Sequence, residues 1–177
     1  NHEYNFPFIA EKMAQAPAVV NFCRREQGIL VQKGNPKKIT QLKHLGNPHI
    51  RIVNRPLGTG TRQLFDKELK AAGLKPKSIK GYGNTLSRHM DVGLSVLTAE
   101  ADAGPGIRPV ANILGLDFLP ICWERFDLLI SKPRFFDQGI QFFLSQLKGK
   151  VIREAAREYG GYDLSITGKM VYPDPEN

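Results

Sequence analysis

Short apolar runs alternate with stretches of helical period along most of this chain. Each is cut off by turn-forming residues: Gly34-Asn35-Pro36, Gly46-Asn47-Pro48, Pro56 to Gly60, Lys75-Pro76, Gly104-Pro105-Gly106 and Lys132-Pro133. Ala18–Arg24 and Gly28–Lys33, rich in Val, Ile, Leu and Phe, read as short strands. Ile50–Asn54, Ser78–Tyr82, Ala101–Ala103, Phe118–Trp123 and Phe126–Ile130 read the same way. Pro36–Leu45 reads as a short helix with Pro in its first turn. Thr61–Ala72 carries Leu64, Phe65, Leu69 and Ala72 at helical spacing, with Gly73 as the stop. His89–Ala99, Arg108–Leu114, Gln138–Lys148 and Val151–Tyr159 complete the helices, and the segment from Gly160 is rich in turn formers. Strands alternating with helices predict an α/β fold with a mostly parallel sheet. In such sheets ligands sit beyond the carboxyl ends of the strands.

Composition narrows the function classes. The 177 residues suffice for one ordinary domain or two small lobes with a real core. The net charge is +8, which attracts anions of every kind without choosing among them. No apolar run approaches the roughly 20 residues a membrane helix needs, so no membrane insertion is expected. The first ten residues show no basic patch followed by an apolar stretch, so no signal peptide is read there. Because the sequence opens at Asn1, it reads as a processed or trimmed product. Cys23 and Cys122 sit in apolar stretches and read as buried small hydrophobes, not as a disulfide framework or a zinc site.

The segment Arg51 to Phe65 carries the functional reading. A strand ends at Asn54, a turn containing Gly58 and Gly60 follows, and a helix begins near Thr61. The first helical turn leaves about four backbone N–H groups unpaired and focuses partial positive charge there. Thr59 and Thr61 add hydroxyls and Arg62 adds a cation, so Thr59, Gly60, Thr61 and Arg62 form a candidate oxyanion cradle. The plain alternative is an N-cap threonine with glycines that serve only the turn. A nucleotide is disfavoured, since no Lys stands in the P-loop position and Gln63 replaces the third glycine of a dinucleotide fingerprint.

Gly81 to His89 repeats the layout of strand, polar turn and helix start. Ser87 is its candidate cap and ligand contact, and His89, in the first helical turn, is a candidate anion donor. A structural histidine at a helix end is the competing reading. Ala101 to Ile107 ends a strand on small residues, which permits close approach of a ligand or of packed protein.

Several blocks, in order, resemble the substrate-binding domains related to periplasmic molybdate- and tungstate-binding proteins. They are Gly28-Ile29-Leu30-Val31 with Gly34-Asn35-Pro36, Asn54 to Arg62, Gly81-Tyr82, Ser87-Arg88-His89, Ala101-Asp102-Ala103-Gly104, Gly115 to Pro120 with Glu124 to Leu128, and Gly161-Tyr162-Asp163 with Thr167-Gly168. The resemblance implies a type 2 periplasmic-binding-protein-like α/β fold: mixed sheets with helices on both faces, two lobes joined by crossing strands, and ligand in the cleft. It implies residues 1–32 as a remnant of the first lobe with a crossing strand, 33–120 as the second lobe with the oxyanion loop, and 121–177 as the return to the first lobe. Such proteins usually begin with another βαβ stretch bearing a Ser or Thr loop, so one lobe is expected to be incomplete. The implied function is a solute-binding or sensor domain for a small tetrahedral oxyanion, molybdate or tungstate. The implied partners lie outside this chain: an ABC transporter permease, or a fused DNA-binding domain in transcriptional regulation.

The residues themselves favour binding over catalysis. A tetrahedral dianion stripped of water needs many aimed N–H and O–H donors, and two helix N-termini supply them. The rival reading is an enzyme acting on a small phosphorylated or acidic substrate, with His89 and Asp91 as an acid–base pair. At i, i+2 on a helix those two side chains do not face each other. No nucleophile–base set and no metal-ligand spacing is visible, so neither cofactor nor metal is expected. Lys67, Lys70, Lys75, Lys77 and Lys80 crowd one stretch but read as a solvated face, without the aromatic interleaving of a nucleic-acid groove.

Overall fold

A computed structural model of the chain describes residue 11 and residues 15–172. In chain order its elements are β1 (Ala18–Val31), α1 (Gly60–Ala71), α2 (His89–Leu97), β2 (Ala103–Ile107), α3 (Arg108–Leu114), β3 (Asp117–Ile130), α4 (Gln138–Gln146), α5 (Lys150–Tyr159), β4 (Tyr162–Asp163) and β5 (Met170–Tyr172). Short 3-10 turns cover Leu42–Gly46, Pro76–Ser78 and Lys132–Arg134.

β1 is the centre of a five-stranded sheet. It lies between β2 and β3, and β4 and β5 also pair with it. The pairings with β2, β4 and β5 are antiparallel. The expected mostly parallel sheet is therefore replaced by a largely antiparallel one. The parallel component survives as two isolated bridges, Ile52 with Ala103 and Asn54 with Thr85. Apolar runs announce strands without saying which way a neighbour runs. Ser78–Tyr82, read as a strand, is a 3-10 turn followed by irregular chain, and Pro36–Leu45, read as a helix, forms only the 3-10 turn at its end.

The two strand pairs predicted around Arg25–Gln27 and Glu124–Arg125 are each one continuous strand. The charged interruptions are ion-paired strand positions, not loops. Arg25 donates to Glu124 at 2.8 Å and stacks over Phe126 at 4.4 Å. Arg125 pairs with Asp127 at 2.7 Å, and Arg108 pairs with Glu26. The segment after Gly160, read as turn-rich, contributes β4 and β5.

The chain divides into two compact units. Of the described residues, one holds those up to Arg25, Glu124–Glu158 and 162–172; the other holds Glu26–Trp123 with Tyr159–Gly161. In the second unit one core gathers Ile29, Val31, Ile39, Ile52, Phe65 and Leu69, and another gathers Leu30, Val53, Val92, Val96, Val110 and Ala111. In the first unit a smaller core joins Ala18, Val20 and Ile130, with Ile140 and Leu144 packed against it.

Small residues in β2 make the tight packing of α2 and β1 possible. A Cβ on Gly104 would lie 2.6 Å from Val92 Cγ1 and 3.0 Å from Val53 Cγ1; one on Gly106 would lie 2.6 Å from Leu30 Cδ1. Gly104→Ala is therefore expected to lower stability by about 1–3 kcal/mol through overpacking, read from the urea unfolding midpoint.

In the first unit the Asp163 carboxylate accepts the Ser165 N–H at 2.8 Å, and this bond leads the causes that hold its pKa below the ordinary 3.8. Arg24 stands 3.9 Å away. A lowered carboxylate pKa contributes stability above pH 3.8 that is lost as pH falls through the folded value. Asp163→Asn is expected to weaken the dependence of stability on pH below that point, measured by denaturation at stepped acid pH.

Candidate functional site

Three segments of the second unit run side by side in the same direction. Ile52–Asn54 is flanked by Thr85 on one side and Ala103 on the other, through the parallel bridges. The backbone confirms the register: Asn54 N–H donates to Asn84 O at 2.8 Å, Leu86 N–H donates to Asn54 O at 2.9 Å, and Val53 N–H donates to Ala103 O at 3.0 Å. The three chain segments therefore leave from the same end, which brings the turn at Thr59–Arg62 and the turn at Ser87–His89 to one end of one unit.

Gly58 has φ +86°, a conformation that favours glycine, and it redirects the chain into α1. Thr59 is the N-cap. Its hydroxyl donates to Pro56 O at 2.9 Å and accepts from Arg62 N at 3.3 Å. The single hydroxyl proton of Thr59 thus goes to the turn, so the plain capping reading holds for this side chain. Gln63 N–H bonds Thr59 O at 3.0 Å. That leaves the N–H groups of Gly60 and Thr61 with no acceptor among the described residues. Gly60 is exposed, and Thr61 is 4% exposed with its hydroxyl in no hydrogen bond among the described residues.

Arg62 lies inward. Its Nε donates to both oxygens of Asp66 at 2.9 Å, its Nη1 donates to Arg55 O at 3.0 Å, and its guanidinium stacks over the Tyr82 ring at 4.3 Å. Arg55 in turn donates to Leu86 O at 2.9 Å. One guanidinium therefore ties the first turn of α1 to the strand end that precedes it, and the second ties that strand end to the residue before Ser87. The sequence reading missed Arg55, Asp66 and Tyr82. The Arg62–Asp66 spacing of i, i+4 was a visible signal; Tyr82 is remote in sequence and carried none.

Tyr82 donates to Asp66 Oδ1 at 2.5 Å. Burial first, then this bond to a carboxylate, raises its pKa above 10.0. Its backbone is pinned as well: Gly81 has φ +86°, and a Cβ there would lie 2.0 Å from Ile52 O.

At the second turn the cap of α2 is Arg88, without a side-chain cap bond, and Ser87 is one residue further out. Ser87 is exposed and its hydroxyl has no partner among the described residues; His89 is half-buried at the first helical position. Asp91 also stands in the first turn. In the third block, the strand Ala103–Ile107 is buried, and its glycines make room for Val92 and Leu30 and not for a ligand. Among the described residues no group of three or more His, Cys, Asp or Glu is placed to hold a metal, and no helix is long and apolar enough to cross a membrane.

Comparison with known proteins establishes the family and the fold. A sequence model of the PBP superfamily domain matches residues 1–148, and the chain belongs to that superfamily. It is 32% identical over 170 residues to Uncharacterized protein YvgK of Bacillus subtilis (strain 168), covering 96% of this chain and 54% of that protein. The chain thus spans about half the length of this relative. Among solved structures, L-phospholactate-bound PEB3 aligns with TM-score 0.61 at 21% identity, over 82% of this chain and 68% of that one. The substrate-binding domain assigned to a molybdenum ABC transporter from Clostridium difficile aligns with TM-score 0.59 at 13% identity, over 91% and 73%. An ancestral arginine-binding protein bound to arginine aligns with TM-score 0.54 at 18% identity, over 80% and 63%. At these identities the likeness establishes the fold, the type 2 periplasmic-binding-protein-like α/β class.

The network around Arg62 sets two expectations. Arg62→Met removes a charge-assisted pair with Asp66 and the tie to Arg55, and should cost about 1.5–3 kcal/mol in denaturant unfolding. A raised Tyr82 pKa contributes stability that is complete below pH 10.0 and lost as pH rises through the folded value. Tyr82→Phe should flatten that alkaline limb, read from unfolding midpoints at stepped pH.

Proposed function

We propose that this solute-binding domain takes a small oxyanion, with molybdate or tungstate as its ligand, at the turn Thr59–Thr61. The carrying observation is the pair of N–H groups of Gly60 and Thr61 at the start of a twelve-residue helix, with no acceptor among the described residues. Two such donors and the helix dipole favour negative charge there. The Thr61 hydroxyl adds a third donor, and Ser87 and His89 stand at the neighbouring turn. In this reading Thr59 and Arg62 act on the protein, not on the ligand: one caps the helix and the other holds the turn's shape. Neutral donors suffice for a dianion when they are fixed before it arrives, because no reorganisation then opposes binding. PEB3 with phospholactate and the molybdenum transporter's domain, both fold neighbours, fit an anionic ligand. An ABC transporter permease or an attached DNA-binding domain would be the partner that reads the bound state.

Gly60→Pro tests the reading cleanly. Gly60 is the first helical residue, where Pro is well tolerated, and Thr59 at φ −80°, ψ 143° already has the conformation that precedes Pro. The substitution removes one N–H donor and leaves the helix. Calorimetric titration with molybdate, tungstate, sulfate, L-phospholactate and arginine should give saturable binding of an oxyanion by the natural chain and at least about tenfold weaker binding by Gly60→Pro, with an unchanged unfolding midpoint. Equal affinity of the two proteins, or binding of arginine alone, would overturn it.

A further inference from the structure

We infer that the second unit carries another binding site, for a small organic cation, separate from the turn at Gly60. A recess of about 210 Å³ opens over Val53, Leu86 and Ala101, with Thr85, Ser95 and Glu100 around it. By liquid volume it holds about seven waters, so it suits a ligand of roughly that many non-hydrogen atoms. Apolar residues make up half of the lining and the polar residues are few, a composition found in small-molecule sites.

Those polar groups are uncommitted. Ser95, on α2, is 7% exposed, and its carbonyl accepts the Ala101 N–H at 3.0 Å. Its hydroxyl, which in a helix commonly bonds back to the carbonyl four residues earlier, has no hydrogen bond among the described residues. Asn84 also borders the recess, and the side chains of Asn84 and Thr85 have none either. Glu100 is the one ionised group in the lining, and it has no ion pair among the described residues. The nearby cations are engaged elsewhere: Arg51 donates to Ala99 O at 3.0 Å, and Lys37 pairs with Asp102 at 3.5 Å. The recess therefore brings one acidic residue, Glu100, and the hydroxyl-bearing Thr85 and Ser95 together with the apolar Val53, Leu86 and Ala101. That combination fits an ammonium with a short branched alkyl body.

The site does not depend on the oxyanion reading, since it shares none of Thr59, Gly60, Thr61 or Arg62. The test is a chemical-shift titration of the ¹⁵N-labelled chain with 3-methylbutylammonium, against the uncharged isostere 3-methylbutanol. The ammonium should saturably move the amides of Asn84–Leu86, Ser95 and Glu100–Ala101, and bind about threefold or more tighter than the alcohol. In Glu100→Gln, an exposed substitution whose fold the same spectra verify, that preference should disappear while the alcohol binds as before. No movement of those amides, equal binding of the two probes, or a preference that survives Glu100→Gln would each overturn the assignment.

Discussion

A buried guanidinium holds the start of α1 and the preceding strand end together. Arg62 reaches back seven residues to the carbonyl of Arg55, neutralises itself against Asp66 and lies flat on Tyr82. Without that tie, a turn containing Gly58 and Gly60 would carry a large conformational freedom, and the amides at the start of α1 would have no fixed direction. With it, the turn is shaped before any ligand arrives. Arg55 extends the same brace to Leu86, so the two helix starts are fixed against one another through backbone carbonyls.

In a strongly basic chain, the proposed site thus has its nearest arginine, Arg62, paired and turned inward. The +8 net charge draws anions toward the surface. At the turn the groups left without an acceptor among the described residues are backbone amides and a hydroxyl, which the proposed oxyanion reading uses for discrimination by geometry and not by charge alone. Arg62, the cation that sequence order places at the turn, is folded inward, where burial and a carboxylate partner make it part of the frame. Close packing behind the site has the same character: Gly81 lies against Ile52 and Gly104 against Val92 and Val53, leaving little room for the supporting segments to shift.

Much of the local architecture was legible in the residues. Arg108–Leu114 is helical over its predicted span, and the starts of α1 and α2 fall where polar turns meet apolar periodicity. The long strands were harder to see. Arg24-Arg25-Glu26 and Glu124-Arg125 look like loop signals because runs of three and of two charges inside a strand are costly unless paired. Here Arg25, Glu26, Glu124 and Arg125 each find a partner, and the strands run through. The sheet's direction was misread for a related reason: Ile50–Asn54 and its neighbours form only isolated parallel bridges, while the extended pairing goes to β1 in the opposite sense.

Local chemistry alone determined that a capped helix would start after Gly58, that Thr59 through Arg62 would sit at its positive end, and that a second such start would follow near His89. Those features depend on residues close in the chain, where short-range hydrogen bonding and backbone sterics decide. Which of the four residues would face outward was a tertiary matter. Tyr82 and Asp66 come from sixteen positions apart to capture Arg62, and Pro56 captures the hydroxyl proton of Thr59, leaving the Gly60 and Thr61 N–H groups without an acceptor among the described residues. The recess beside Ser95 is likewise a product of packing, because it exists only where α2, Ala101 and the Asn84–Leu86 segment meet.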